Sequence, residues 1–88
     1  MHQAILILKA ILLSLNTSMN HEIANMWLCL KMDNNPDSLY NKLSPGCWGN
    51  LASKNQKNIH SLQAKIELAQ AQLDTLEQQQ QAIQSLFL

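Results

Sequence analysis

Between Ile59 and Phe87 the apolar residues recur in alternating steps of three and four, and no other feature of the chain restricts its fold so much. Ile59, Ile66, Leu73, Gln80 and Phe87 occupy the first core position of a heptad, and Leu62, Ala69, Leu76 and Ile83 the second. On an α-helix this spacing gathers the side chains into one stripe that keeps facing a partner as helices supercoil. A lone helix would leave the stripe in water. Asn58 to Leu88 is therefore expected to be a long amphipathic helix that pairs with another, either in a second copy or from earlier in the same chain. Gln80 and Ala69 are the weak points of the seam. The flanks are mostly uncharged (Gln63, Gln70, Gln72, Gln79, Gln84), which leaves strand number and orientation unspecified.

The chain has 88 residues, enough for one domain. A chain of this size buries only about 60% of its unfolded surface, so self-association is the expected source of added stability. Apolar residues make up 47% and aromatics 5%, with two glycines and two prolines, a balance that favours helices over sheets. Cys29 and Cys47 lack the dense, even spacing of a secreted disulfide scaffold and read as reduced thiols of a cytoplasmic protein. The expected fold is all-α: a compact N-terminal group of short helices followed by a long amphipathic helix that pairs as a coiled coil. Residues 1–50 would form the N-terminal unit, with helices at about 3–15, 20–32 and 36–43 and then a Pro/Gly loop. Residues 51–88 would form the coiled-coil helix, and the whole would be one folding unit.

The run Ala4 to Leu15 is apolar almost all round a helix and asks to be buried on several sides. Alone it is too short for a bilayer, which needs about 20 residues, and it lacks the positive start and small-residue cleavage site of a signal peptide. Asn16 to Asn20 (NTSMN) reads as a turn and cap. A second helix starts near His21, with Ile23, Met26, Trp27 and Leu30 on one face, and is stopped by the run Asp33 to Pro36. Pro36 suits the first turn of a short third helix to Leu43. Ser44 to Asn50 holds both glycines and the second proline, and Trp48 is expected to anchor that loop.

No phosphate-binding glycine loop, nucleophile elbow or dinucleotide fingerprint occurs. His21-Glu22 begins like a zinc-protease helix, but Asn25 stands where the second histidine belongs. His21, Cys29, Cys47 and His60 contain no paired ligand spacing. The reading is a non-enzymatic protein with no cofactor and no metal.

Basic residues Lys31, Lys42, Lys54, Lys57 and Lys65 gather in the middle of the chain, although the net charge is zero. The string SLYNKLSP, Ser38 to Pro45, resembles the recognition-helix end of phage CII-type regulatory proteins, and His21 to Ala24 would supply the preceding helix of a helix-turn-helix. Trp27-Leu28-Cys29 stands where that pattern carries a turn glycine. The resemblance implies that Ser38, Tyr40, Asn41 and Lys42 face DNA, with Lys42 on phosphate and Asn41 at a base edge, and the basic middle adds Lys54 and Lys57.

Two readings follow. The first is a small helical interaction module, an inhibitor or adaptor of a phage or mobile element, which self-associates through the C-terminal stripe and docks on a protein. The second is a dimeric DNA-binding regulator of such an element. Zero net charge favours the first. A homodimer or higher homo-oligomer, together with a protein partner, is expected; DNA is the alternative partner and no membrane is involved.

Overall fold

The computed structural model describes residues 2–35, 41 and 46–87. These form two long helices, α1 (His2–Asp33) and α2 (Cys47–Leu86), packed side by side in an antiparallel hairpin. The rod measures 69 × 14 × 14 Å. Forty residues at about 1.5 Å each account for most of its length through α2 alone.

The all-α expectation holds, but the compact N-terminal group of short helices does not exist. The expected helices at 3–15 and 20–32 are one continuous α1, because Asn16 to Asn20 does not break it. That stretch has neither glycine nor proline. Its polar side chains bond back into the helix instead of capping a new one. The Asn16 amide donates to the Leu12 carbonyl at 2.9 Å, and the Thr17 hydroxyl to the Leu13 carbonyl at 2.9 Å. Met19, half-buried, carries the apolar stripe across the supposed gap. The expected third helix at 36–43 lies outside the described residues apart from Asn41. The Pro/Gly loop is shorter than expected, because Cys47 to Asn50 already belong to α2.

α1 contributes its own heptad to the seam. Ile5, Leu12, Met19 and Met26 take one core position and Leu8, Leu15, Glu22 and Cys29 the other, and all are buried or half-buried. Ile5, Leu12, Ala69 and Leu73 form the buried centre, with Leu8, Leu15, Ile66 and Leu76 packed around it. The Glu22 and Met26 end of the seam runs one step away from the expected face, so Trp27 turns outward at 63% exposure. Trp48, half-buried in the first turn of α2, heads the α2 side.

A polar layer interrupts the seam on the way to the turn, before Cys29, Ala52 and Trp48 resume it. The Glu22 carboxylate accepts from the Asn55 amide at 2.7 Å and from Asn58 at 3.4 Å, and the Cys29 thiol donates to Asn55 Oδ1 at 3.8 Å. A polar layer of this kind fixes register, since sliding either helix would leave the carboxylate without its donors. Neither Cys29 nor Cys47 is in a disulfide.

The hairpin is closed by side chains at the ends of both helices. The Asn41 amide donates to the carbonyls of Met32 at 2.6 Å, Asn35 at 3.1 Å and Asp33 at 3.4 Å, satisfying the C-terminus of α1. Gly46 starts α2 with φ at +81°, a left-handed conformation that glycine adopts without strain. The Asp33 carboxylate lies against Gly49 in the first turn of α2, where the positive end of the helix dipole favours it.

Candidate interaction surface

The stripe that sequence spacing assigned to subunit pairing is mostly covered within the chain. Ile59, Ala69 and Leu73 are buried, and Leu62, Ile66 and Leu76 half-buried, all on the α1 side of α2. Of the two partners that the spacing left open, the structure supplies the earlier helix of the same chain. Ile83 and Phe87 differ from the rest. Past Gln80 every described residue of α2 is exposed, and Phe87 reaches 84%.

The residues assigned to DNA or partner contact do not gather into one surface. Ser38, Tyr40 and Lys42 lie outside the described residues. The Asn41 amide is directed at the α1 carbonyls described above. Lys54 and Lys57 are exposed on α2. Ala24, which a helix-turn-helix would bury where its two helices touch, is exposed on a helix that runs unbroken from His2 to Asp33.

A different surface emerges, on the side of α1 that faces away from α2. The heptad places Leu6, Leu13 and Trp27 on one flank of this outer face, and Ile7, Ser14 and Leu28 on the other. Between the flanks runs a centre line of Ala10, Thr17 and Ala24, seven residues apart. Leu6, Ile7, Leu13, Trp27 and Leu28 are all more than half exposed, with Leu13 at 70%. A helix with apolar residues on two opposite faces needs cover on both. The signal was present in the sequence, since Leu6, Ala10, Leu13, Thr17, Ala24 and Trp27 keep heptad spacing, but it becomes visible only once α1 is read as a single helix.

The same continuity makes α1 longer than the apolar run at its start. The 32 residues of α1 are long and apolar enough, by length and composition, to cross a membrane, which the apolar run to Leu15 alone is not. α1 is nevertheless paired with α2, whose outward positions Lys57, His60, Glu67 and Asp74 are exposed and ionisable. A closed hairpin could not carry these groups into hydrocarbon without a large desolvation cost.

An open groove of about 410 Å³ lies beside the seam, lined by Leu8, Ala71, Gln72, Thr75, Leu76 and Gln79. Its lining offers amide and hydroxyl groups on an apolar floor. Among the described residues, no group of three His, Cys, Asp or Glu side chains could hold a metal ion. Comparison with known proteins finds no matching family model, no similar curated protein and no similar solved structure.

Proposed function

We propose that this protein is a non-enzymatic helical interaction module that assembles with further copies of itself and presents the assembled bundle to a protein partner. The carrying observation is the apolar outer face of α1, left in water by a hairpin whose own seam is already closed. The thinness of the core supports the same reading. Among the described residues no side chain is fully buried, and the most enclosed, Ile5, keeps 4% of its surface. Two helices joined along one seam form half of a typical layered domain, and further helices would complete it.

The C-terminal stripe keeps a part in this reading, although a changed one. It holds α1 straight along α2 so that the outer face is displayed as one surface, and its uncovered end at Ile83 and Phe87 is free for the further partner. DNA takes second place, because α1 has no turn where the regulatory resemblance needs one. The bilayer takes third place, because α2 would have to enter with α1.

Sedimentation velocity from about 1 to about 100 µM tests the proposal, a range that detects association of about −5.5 to −8 kcal/mol. A discrete oligomer that grows with concentration is the expected result. A monomer throughout this range would overturn the reading.

A further inference from the structure

Resting on the self-association just proposed, we infer that α1 forms a two-fold antiparallel interface with α1 of a second copy, centred on Thr17, so that two hairpins make a four-helix layer with α1 inside and α2 outside. An isologous interface requires that residue i meet residue j while j meets i. About Thr17 the exposed face of α1 has that self-complementary order. Ala10 stands seven residues before Thr17 and Ala24 seven after it. Leu6 and Ile7 mark one end, Trp27 and Leu28 the other. Reversing one helix on another sets Ala10 opposite Ala24, Leu6 opposite Trp27 and Ile7 opposite Leu28, and Thr17 faces its own copy.

The chemistry along this line suits burial. Small side chains at the centre let the two backbones approach closely, and the large ones interlock at both ends. Thr17 can enter such an interface without stranding its hydroxyl, which already donates to the Leu13 carbonyl. Near the centre this register sets Ser14 opposite His21, two groups able to hydrogen-bond, and Asn20 opposite Leu13 on the other flank.

The exposed area is enough for a second copy to occupy this face. A compact monomer of 9.9 kDa exposes about 5,200 Å², whereas the hairpin exposes 6598 Å². The excess of roughly 1,400 Å² exceeds the ~800 Å² that each partner contributes to a standard interface. A lipid surface fits the face less well, since Ser14, Asn20 and His21 interrupt it halfway along.

The test combines mass and orientation. Wild type, Ala10→Glu and Ala64→Glu are compared by sedimentation equilibrium, with helicity checked by circular dichroism. Ala64 lies on the outward face of α2 and serves as the control. A dimer for wild type and Ala64→Glu, weakened about tenfold or more by Ala10→Glu at unchanged helicity, is expected. A wild-type dimer that Ala10→Glu leaves intact overturns this interface while self-association survives; a wild-type monomer overturns both. Orientation is then read by oxidising single-cysteine chains in which Cys29 and Cys47 are replaced by alanine. Ala10→Cys mixed with Ala24→Cys should give a covalent dimer of the two, because close antiparallel helices bring such positions within disulfide reach. Preferential cross-linking of Ala10→Cys to itself would mean parallel helices and would overturn the two-fold about Thr17. Ile7→Cys mixed with Leu28→Cys, which this register sets opposite each other, repeats the test if either alanine variant fails to fold.

Discussion

The two helices share one seam and differ on their backs. α2 turns Ser53, Lys57, His60, Glu67 and Asp74 to solvent, and Gln70 and Asp74 bond to each other along its surface at 2.9 Å. α1 turns Leu6, Leu13, Trp27 and Leu28 to the same solvent. The inner faces alone would describe an ordinary antiparallel coiled coil, since both carry heptads and both contribute to one polar layer within the seam. The outer faces give the hairpin a direction, one side mostly polar and the other mostly apolar. A chain selected only to fold as a lone hairpin would gain nothing from Trp27 at 63% exposure.

The comparison breaks most easily at the seam, where the two helices should behave alike. Leu73→Ala and Leu12→Ala, both in the buried centre, should each cost about 2–3 kcal/mol in urea unfolding followed by circular dichroism. Because the two side chains belong to one cluster, the double variant should cost less than the sum of the singles. Leu68→Ala, at 63% exposure on α2, should cost under about 0.5 kcal/mol in the same assay.

A smaller effect is expected at the polar layer of the seam. Asn55→Ala removes the nearer donor of the Glu22 carboxylate and should cost about 1 kcal/mol, reduced from the value for a buried charged pair by solvent at a half-buried site. Gly46→Ala should cost about 1 kcal/mol through the left-handed backbone at the start of α2. Smallest of all, Glu67→Gln on the outward face of α2 should stay within about 0.5 kcal/mol of wild type. An effect above about 1 kcal/mol there would mean that the back of α2 is packed against something, and the contrast between the helices would be lost.

Sequence periodicity made the C-terminal helix legible because seven-residue spacing persists through several turns with few exceptions. Its start was less legible, since Gly46, Trp48 and Gly49 look like loop residues until Gly46 is seen to begin the helix and Gly49 to lie against Asp33. The reading of α1 failed at Asn16 to Asn20 for a physical reason. Asn, Thr and Ser favour caps because their side chains compete for backbone groups, but the same side chains can bond the carbonyl four residues back and stay helical. Tertiary packing decides between these outcomes, and Met19 on the seam tips it toward helix. Dividing α1 there also hid its outer face, whose pattern spans the division. Asn41 carries a related lesson: a residue type able to read a base edge serves equally well to satisfy the end of a helix.

The central claim is that α1 is one helix with two working faces, and amide hydrogen exchange across Asn16 to His21 tests it most directly. The account predicts that the amides of Thr17 to His21 exchange as slowly as those of Leu12 to Leu15, within about tenfold, because all lie in one hydrogen-bonded helix packed along α2. Rapid exchange confined to Asn16 to Asn20, with slow exchange on both sides, would show a break there and would contradict both the continuous hairpin and the outer face that depends on it.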